Sequence, residues 1–122
     1  MVLVDDTPDL RELLRMALER TGDFDVVAEA GDGRDAIEVV RQHRPDVVLL
    51  DIAMPVMDGL EALPRVREEC PEATVVMLSG FSAADMMSRA MSAGAHGYLQ
   101  KGQSLRSLVA QLHDLVDASA TG

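Results

Sequence analysis

The stretch Val47-Val48-Leu49-Leu50-Asp51 decides the fold of this chain. Successive side chains of a β-strand point to opposite faces of its sheet, so apolar residues in a row predict a strand buried on both faces. Such strands are typical of the centre of a parallel sheet that carries helices on both sides. The run ends in an aspartate, which puts a carboxylate at the end of this central strand.

On either side of this strand, short apolar runs alternate with stretches in which apolar residues recur at helical spacing. The runs predict four further strands, at residues 2–4, 26–28, 74–78 and 97–100. Helical spacing covers residues 8–21, 33–43, 58–69, 83–93 and 104–118. Strict alternation of strand and helix predicts an α/β fold with one parallel sheet and right-handed crossovers. For five strands we expect the flavodoxin-like (βα)5 doubly wound sheet with strand order 2-1-3-4-5.

Several local signals mark where the helices begin. Thr7 followed by Pro8 predicts a capping side chain with a proline in the first turn of helix one. Ser82 with Asp85 has the spacing of a capping box at the start of helix four. Pro64 conflicts with the third helix, because proline removes a hydrogen bond inside a helix and tends to kink it.

Length and composition limit the classes of function. A chain of 122 residues can bury a hydrophobic core as one domain, and we expect residues 1–118 to form it, with residues 119–122 as a tail or the start of a linker. The net charge of −10 and the absence of a basic stripe exclude nucleic-acid binding by this segment. The chain has a single cysteine, Cys70, which we expect in a loop and without a role. It has no apolar run of about 20 residues and no leader. These features predict a cytoplasmic protein without a membrane segment.

Charged and polar side chains follow the predicted strands. Asp5 and Asp6 come after strand one, Asp51 ends strand three, Ser79 follows strand four and Lys101 follows strand five. In the expected fold these side chains converge at one edge of the sheet, where ligands bind in folds of this class. Two carboxylates about 4 Å apart repel by roughly 4 kcal/mol at an effective dielectric of about 20. One lysine offsets only part of that repulsion, so we expect Mg²⁺ at this edge.

The same residue types suit phosphoryl transfer. A carboxylate such as Asp51 is an established kind of nucleophile towards a phosphoryl group. Catalysis of this transfer consists mostly of positioning and of neutralising the phosphoryl oxygens. Mg²⁺, the Lys101 ammonium and the Ser79 hydroxyl can supply that neutralisation.

With these residues the chain resembles the receiver domains of two-component response regulators over essentially its whole length. The residues that carry the resemblance are Asp5-Asp6, Asp51, Met54-Pro55, Asp58-Gly59, Ser79-Gly80, Gly94-Ala95, Gly97-Tyr98 and Lys101. Each of these pieces is common by itself, but together and in this order they are specific. The stretch from Gly94 to Lys101 looks like the branch of the family whose regulators carry LuxR-type helix-turn-helix outputs.

The resemblance implies a role for each residue of the site. Asp51 would be the phosphoacceptor and Lys101 and Ser79 would hold the phosphoryl oxygens, while Ser79 and Tyr98 would form the conformational relay. The Mg²⁺ ligands would be Asp6, Asp51 and the carbonyl of Ala53, with Asp5 acting mainly through water. The chain would catalyse only its own phosphorylation and dephosphorylation and would not be an enzyme on other substrates.

Three positions differ from the usual pattern of the family. Gly102 stands where many receivers have a proline, so the loop carrying Lys101 is expected to be looser. Ala53 and Phe81 occupy positions that influence hydrolysis of the acyl phosphate in the family, and neither side chain can orient water by hydrogen bonding. We therefore predict a long-lived phosphorylated state, in which replacing Phe81 with a carboxylate does not slow dephosphorylation.

The resemblance also implies the partners. A histidine kinase would donate the phosphoryl group, and the changed surface of helix four, strand five and helix five would bind an output domain or a second copy. Transcription regulation would require a DNA-binding domain outside this chain. Met87 and Met91 lie four residues apart on helix four, where they either contact a partner or pack against the helix's neighbours.

Two other functions of this fold require residues that the chain lacks. A flavin carrier of the same fold needs a phosphate-binding loop after strand one and stacking aromatics, yet aromatic residues make up only 2% of this chain. An aspartyl-phosphate hydrolase needs a second carboxylate two residues after the nucleophile, where this chain has Ala53. The alternatives that stay open are a pseudo-receiver that binds partners without phosphorylation and a stand-alone phosphorelay receiver. His43, His96 and His113 lack metal-ligand spacing and are interpreted as surface or helix histidines.

Overall fold

Five parallel strands form one sheet in the order β2-β1-β3-β4-β5. The computed structural model describes residues 1–80 and 84–121. The strands are β1 (Val2–Val4), β2 (Ala28–Ala30), β3 (Val47–Asp51), β4 (Thr74–Ser79) and β5 (Gly97–Gln100). The helices are α1 (Pro8–Arg20), α2 (Gly33–His43), α3 (Gly59–Glu69), α4 (Ala84–Ser92) and α5 (Leu105–Thr121). The predicted flavodoxin-like fold and its strand order are confirmed.

The central strand β3 is buried along its whole length, as its apolar run predicts. Alternate residues pack into two separate apolar clusters, one on each face of the sheet. Val48 and Leu50 join the cluster beneath α2, α3 and α4. Leu49 joins the cluster beneath α1 and α5. The sheet is therefore a rigid middle layer, and its strand ends hold whatever follows them at fixed positions.

Helix starts agree with the sequence in part. The Asp32 side chain accepts a hydrogen bond from the N–H of Asp35 at 2.8 Å and caps α2, and Asp58 caps α3 in the same way through Glu61. Thr7 is the N-cap residue of α1 with Pro8 behind it, but its side chain makes no capping hydrogen bond. That expectation was wrong, because this turn is held instead by Asp5. Ser82, the predicted cap of α4, lies outside the described residues.

Pro64 does not interrupt α3, which runs from Gly59 to Glu69 around it. The proline is exposed, whereas its neighbour Leu63 is fully buried. The ring of Pro64 therefore stays outside the apolar core, although it leaves the carbonyl of Leu60 without a helical donor.

One other local expectation was wrong, and a second was incomplete. β2 comprises Ala28–Ala30 rather than residues 26–28, because Val2 of β1 pairs with Ala28 and Val27 remains half-exposed beside the sheet. Cys70 is fully buried at the end of α3, where its thiol lies 3.6 Å from the carbonyl oxygen of Pro45. It follows the last helical residue, as predicted, but its thiol is part of the core.

α5 extends to Thr121, three residues beyond its expected end. Among the described residues, none of the helices has both the length and the apolar character needed to cross a bilayer.

Candidate functional site

The carboxyl ends of the strands bring together the residues that the sequence singles out. Asp5 follows β1, Asp51 ends β3, Ser79 ends β4 and Lys101 follows β5. The parallel register aligns these ends, since Asp51 pairs with Leu78 and Ser79 pairs with Gln100. The backbone N–H of Lys101 also donates to the carbonyl oxygen of Ser79 at 2.7 Å, which ties the loop after β5 to the end of β4.

Lys101 joins two of the carboxylates. Its ammonium donates a hydrogen bond to Asp51 Oδ2 at 3.0 Å and lies 2.9 Å from Asp5 Oδ2. Partial burial by itself would lower the pKa of Lys101, but the hydrogen bonds and charges of Asp5 and Asp51 outweigh it and raise that pKa. The ammonium is therefore charged and sits between the two acidic side chains.

Asp51 is the most constrained carboxylate of the site. Its side chain is only 1% exposed. Burial raises the pKa of Asp51 from 3.8 to about 6, against the opposing hydrogen bond from Lys101 and with a further contribution from the negative charge of Asp5. Asp51 Oδ1 is buried and accepts no hydrogen bond in the described part of the chain. One oxygen of the buried carboxylate is therefore open to a new bond.

Three carboxylates meet at this edge. Oxygens of Asp5, Asp6 and Asp51 all lie within 4.8 Å of one another. Asp6 is exposed, whereas Asp5 is buried, so the cluster opens to solvent on one side. Hard divalent cations prefer oxygen ligands of this kind. The Oδ1 of Asp51, which has no partner in the described part of the chain, and the excess of carboxylates over the single lysine both fit such a cation.

Each carboxylate oxygen of Asp5 has a different contact. Oδ1 accepts a hydrogen bond from the N–H of Thr7 at 2.8 Å. Oδ2 lies against the Lys101 ammonium but accepts no aligned hydrogen bond from the described residues. The backbone N–H of Asp5 donates to the carbonyl of Ala30 at 3.1 Å and continues the pairing of β1 with β2. Asp5 therefore anchors the first loop of the site to the sheet.

The loop between β3 and α3 approaches the site closely. The N–H of Gly59 donates to the carbonyl of Ile52 at 2.8 Å, and a Cβ atom at Gly59 would lie 2.1 Å from the carbonyl oxygen of Asp51. No side chain fits there, which explains the Asp58-Gly59 pair. Within the same loop, Val56 has a φ of +68° and is 74% exposed. A β-branched residue in this conformation is strained, and nothing in the sequence predicted it.

Arg11 is a second residue that sequence reasoning missed. Its Nη1 donates to the carbonyl oxygen of Asp5 at 2.6 Å, and its Nε donates to Glu29 Oε1 at 3.1 Å. The first contact crosses the loop that carries Asp5 and Asp6. No pattern in the sequence could have revealed the pairing of Arg11 with Glu29, because Glu29 lies 18 residues away on β2.

The other predicted site residues differ in their burial and backbone conformation. Ser79 is buried at the end of β4, and Tyr98, half-buried on β5, packs against the cluster beneath α2, α3 and α4. Ala53 is exposed two residues after Asp51. Gly102 has a φ of +92°, which is incompatible with proline. Phe81, the second residue invoked for the lifetime of the phosphorylated state, lies outside the described residues.

The predicted partner face contains a cleft beside Lys101. Its volume is about 550 Å³, and it is lined by Met87, Tyr98, Gln100, Lys101, Gly102, Gln103 and Gln111. Met87 and Met91 are each 46% exposed on α4. Exposed methionines are adaptable contact residues, and the cleft joins their helix to the lysine of the site.

Two histidines have specific contacts that their interpretation as plain surface or helix residues did not anticipate. The Nδ1 atom of His96 accepts a hydrogen bond from the N–H of Val75 at 3.0 Å. His113 lies between Asp23 and Asp117, at 3.0 and 3.2 Å. His96 lies at the edge of the sheet opposite the carboxylates, where it satisfies the backbone at the start of β4.

Comparisons with known proteins find relatives of this chain. The family model of the response regulator receiver domain matches residues 1–113. The chain is 35% identical to the chemotaxis protein CheY of Halobacterium salinarum over 118 residues, which cover 97% of each protein. It is 40% identical over 110 residues to a protein-glutamate methylesterase/protein-glutamine glutaminase of Azospirillum brasilense, where the match covers 88% of this chain but only 28% of that protein.

A solved structure gives the same result. The crystal structure of a LuxR-family two-component response regulator from an Aurantimonas species superposes with a TM-score of 0.89 at 32% identity. The superposition covers 96% of this chain and 84% of that one. The fold and the branch that the sequence resembles are both represented among its structural relatives.

Proposed function

The chain belongs to the response regulator receiver family, a family of phosphorylation-based signalling switches, and on that premise we propose that Asp51 is its phosphoacceptor. The observation that carries this proposal is the buried Asp51 carboxylate, with one oxygen bonded to Lys101 and the other without a hydrogen-bond partner among the described residues. A buried carboxylate is costly to keep, and its retention next to two further aspartates is explained by chemistry at that atom.

The reaction is an in-line displacement at phosphorus. An oxygen of Asp51 forms the new P–O bond while the bond from phosphorus to the donor breaks, and the donor atom leaves with the electron pair. The donor is the phosphohistidine of a histidine kinase or a small acyl phosphate. Lys101 and Ser79 bind the transferred oxygens, since the lysine already reaches Asp51 and Ser79 ends the neighbouring strand. The loop after β5 keeps its lysine in place through the carbonyl of Ser79.

The acidic cluster fits Mg²⁺ as the cofactor. Asp6, Asp51 and the carbonyl of Ala53 would hold the ion directly, with Asp5 acting mainly through water. When bound, the ion neutralises the negative charge that develops on the phosphoryl oxygens. The role of Asp5 is supported by its contacts, because its Oδ1 accepts a hydrogen bond from Thr7 and its Oδ2 is paired with the Lys101 ammonium.

Phosphorylation changes the surface formed by α4, β5 and α5. The phosphoryl group adds acceptor oxygens next to Ser79, and Tyr98 turns inward as the hydroxyl moves. This is a population shift between two packings, set by how differently the phosphoryl group interacts with each. The surface then engages an output domain or a second copy. Residues 1–118 form the receiver unit in this proposal, and the output, including any DNA-binding domain, lies outside it.

Intact-mass measurement after incubation with acetyl phosphate and Mg²⁺ tests the proposal. We expect wild type to gain the mass of one phosphoryl group, and Asp51→Asn to gain none. The matched control is Asp46→Asn, since Asp46 is an exposed carboxylate just before the opposite end of the same strand. It should be phosphorylated like wild type. A wild-type protein that gains no mass at any Mg²⁺ concentration would be a pseudo-receiver, and the proposal would be wrong.

A further inference from the structure

The guanidinium of Arg11 connects three parts of the chain around the first loop of the site. It projects from the first turns of α1, donates to the carbonyl of Asp5 at 2.6 Å and pairs with Glu29 of β2 at 3.1 Å. Its side chain is only 21% exposed and that of Glu29 27%. Arginine suits such a bridge because its fixed fork of donors can bind two acceptors at once.

The contact constrains the loop at the residue before Asp6. Asp5 has its carbonyl bound by Arg11, and Thr7 has its N–H bound by Asp5 Oδ1. Asp6 lies between the bonded carbonyl of Asp5 and the bonded N–H of Thr7, and its side chain is exposed. An exposed aspartate in a free loop would sample many orientations, whereas here the backbone on both sides of it is held.

We propose that Arg11, anchored by Glu29, is a positioning residue that holds Asp6 in the orientation that binds magnesium. This inference rests on the proposed function of the site. Arg11 does not touch the ion or the phosphoryl group in this arrangement and acts through the backbone of Asp5. Glu29 is the anchor because it holds the guanidinium from the side of the sheet.

The sign of the effect distinguishes positioning from simple charge. Removing a cation near an acidic cluster lowers the repulsion that Mg²⁺ meets, so electrostatics alone predicts tighter binding in Arg11→Gln. Loss of positioning predicts weaker binding. The two explanations therefore give opposite results for the same variant.

Arg15 provides the matched control. It lies one turn further along α1 and pairs with the other oxygen of the same Glu29 at 3.2 Å, but it does not contact Asp5. Arg15→Gln removes an equal charge and leaves the bridge to Asp5 in place. Arg11→Lys is the complementary variant, because it keeps the charge and loses the fork that binds Asp5 and Glu29 together.

Isothermal titration calorimetry with Mg²⁺ on the whole chain tests the inference without relying on phosphorylation. We expect a Kd about tenfold higher in Arg11→Gln and several-fold higher in Arg11→Lys, as is typical when a group that orients metal ligands is removed. Arg15→Gln should match wild type or bind slightly more tightly. The rate of phosphorylation by acetyl phosphate should fall in Arg11→Gln at low Mg²⁺ and recover to within about twofold at saturating Mg²⁺, since the ion itself restores the ligand geometry.

Equal Mg²⁺ affinity in wild type, Arg11→Gln and Arg15→Gln, or tighter binding by Arg11→Gln, would overturn the inference. So would a slow Arg11→Gln whose rate stays low when Mg²⁺ is saturating. Should Arg11→Gln unfold, Arg11→Lys carries the test. Failure of the proposed function gives a different result, because wild type itself would then gain no phosphoryl mass.

Discussion

The two edges of the sheet are built on opposite principles. At the edge where the strands end, Asp51 Oδ1 is buried without a partner among the described residues, and Asp5 and Asp51 share a single ammonium. At the edge where the strands begin, polar groups meet matched partners. The N–H of Thr74 donates to the carbonyl of Asp46 at 2.8 Å, and His96 accepts from Val75 at 3.0 Å.

This difference in hydrogen bonding separates the candidate functional site from the edge that stabilises the fold. An unpartnered buried oxygen or a shared charge lowers stability, and proteins keep such features mainly where function needs them. Relaxing the edge that carries Asp51 should therefore stabilise the fold, whereas removing a matched contact at the opposite edge should destabilise it.

The largest effect is expected for Asp51→Asn in the absence of Mg²⁺. A folded-state pKa of about 6 against 3.8 means that the native carboxyl holds its proton more tightly than the unfolded one. Stability contributed by this residue is therefore full below pH 3.8 and is lost as pH rises to about 6. The rise corresponds to at most about 3 kcal/mol. Because the site opens to solvent, we expect the amide to raise the free energy of unfolding by about 2 kcal/mol near neutral pH.

Urea denaturation of wild type and Asp51→Asn measures this gain. At a pH of about 5 the gain should be about half of its neutral value, because part of the wild-type carboxyl is then protonated. Mg²⁺ should stabilise wild type and have less effect on the variant. Asp46→Asn, at the other edge, should change stability by less than about 0.5 kcal/mol. A destabilised Asp51→Asn would show that the carboxylate supports the fold and would remove the contrast between the two edges.

Much of this could be predicted from the sequence. The order of the strands follows from the alternation of apolar runs and helical stretches, and the convergence of Asp5, Asp6, Asp51, Ser79 and Lys101 follows from that order. Side chains at the ends of parallel strands must meet at one edge, so their spacing in the chain is irrelevant. The sequence therefore predicted the convergence of these side chains because the fold class imposes it.

Other features depend on backbone detail that residue types do not reveal. Residues 26–28 have strand composition, yet pairing with β1 begins at Ala28, because the register is set by contacts across the sheet. The Asp5 side chain holds the turn that Thr7 was expected to cap. The contacts of Arg11 and His96 join residues 18 and 21 positions from their partners, and no local pattern marks them.

At the opposite edge, His96→Leu should lower the free energy of unfolding by about 1.5 kcal/mol, since it leaves the N–H of Val75 without its acceptor. Burial and the nearby charge of Arg67 lower the pKa of His96. The native imidazole is thus kept neutral, and its contribution to stability is full above pH 6.5 and is lost as pH falls below that value.

His96→Asn tests the pH dependence separately, because an amide oxygen can accept the same hydrogen bond and does not titrate. Denaturation curves between pH values of about 5 and 8 should show wild type losing stability relative to this variant on the acidic side. His43→Asn, at an exposed position, is the control and should run parallel to wild type. If His96→Leu proves neutral, then water replaces the imidazole and the opposite edge is less finely matched than the contact indicates.

The smallest change in stability is expected for a substitution at Val56. Comparing it with Arg44 compares backbone strain at the two edges. Val56 and Arg44 are the non-glycine residues with positive φ in the described part of the chain, at +68° and +44°. Arg44, at the end of α2, offsets its conformation with contacts to the Glu69 carbonyl and the Glu72 carboxylate, whereas the exposed Val56 side chain carries no polar group that could make such contacts. Asparagine tolerates positive φ, so Val56→Asn should gain about 0.5 to 1 kcal/mol in chemical denaturation. Arg44→Asn should gain nothing, because the relief is cancelled by the lost contacts. Equal gains in both variants would mean that the strain is a property of positive φ alone and not of the loop beside Asp51.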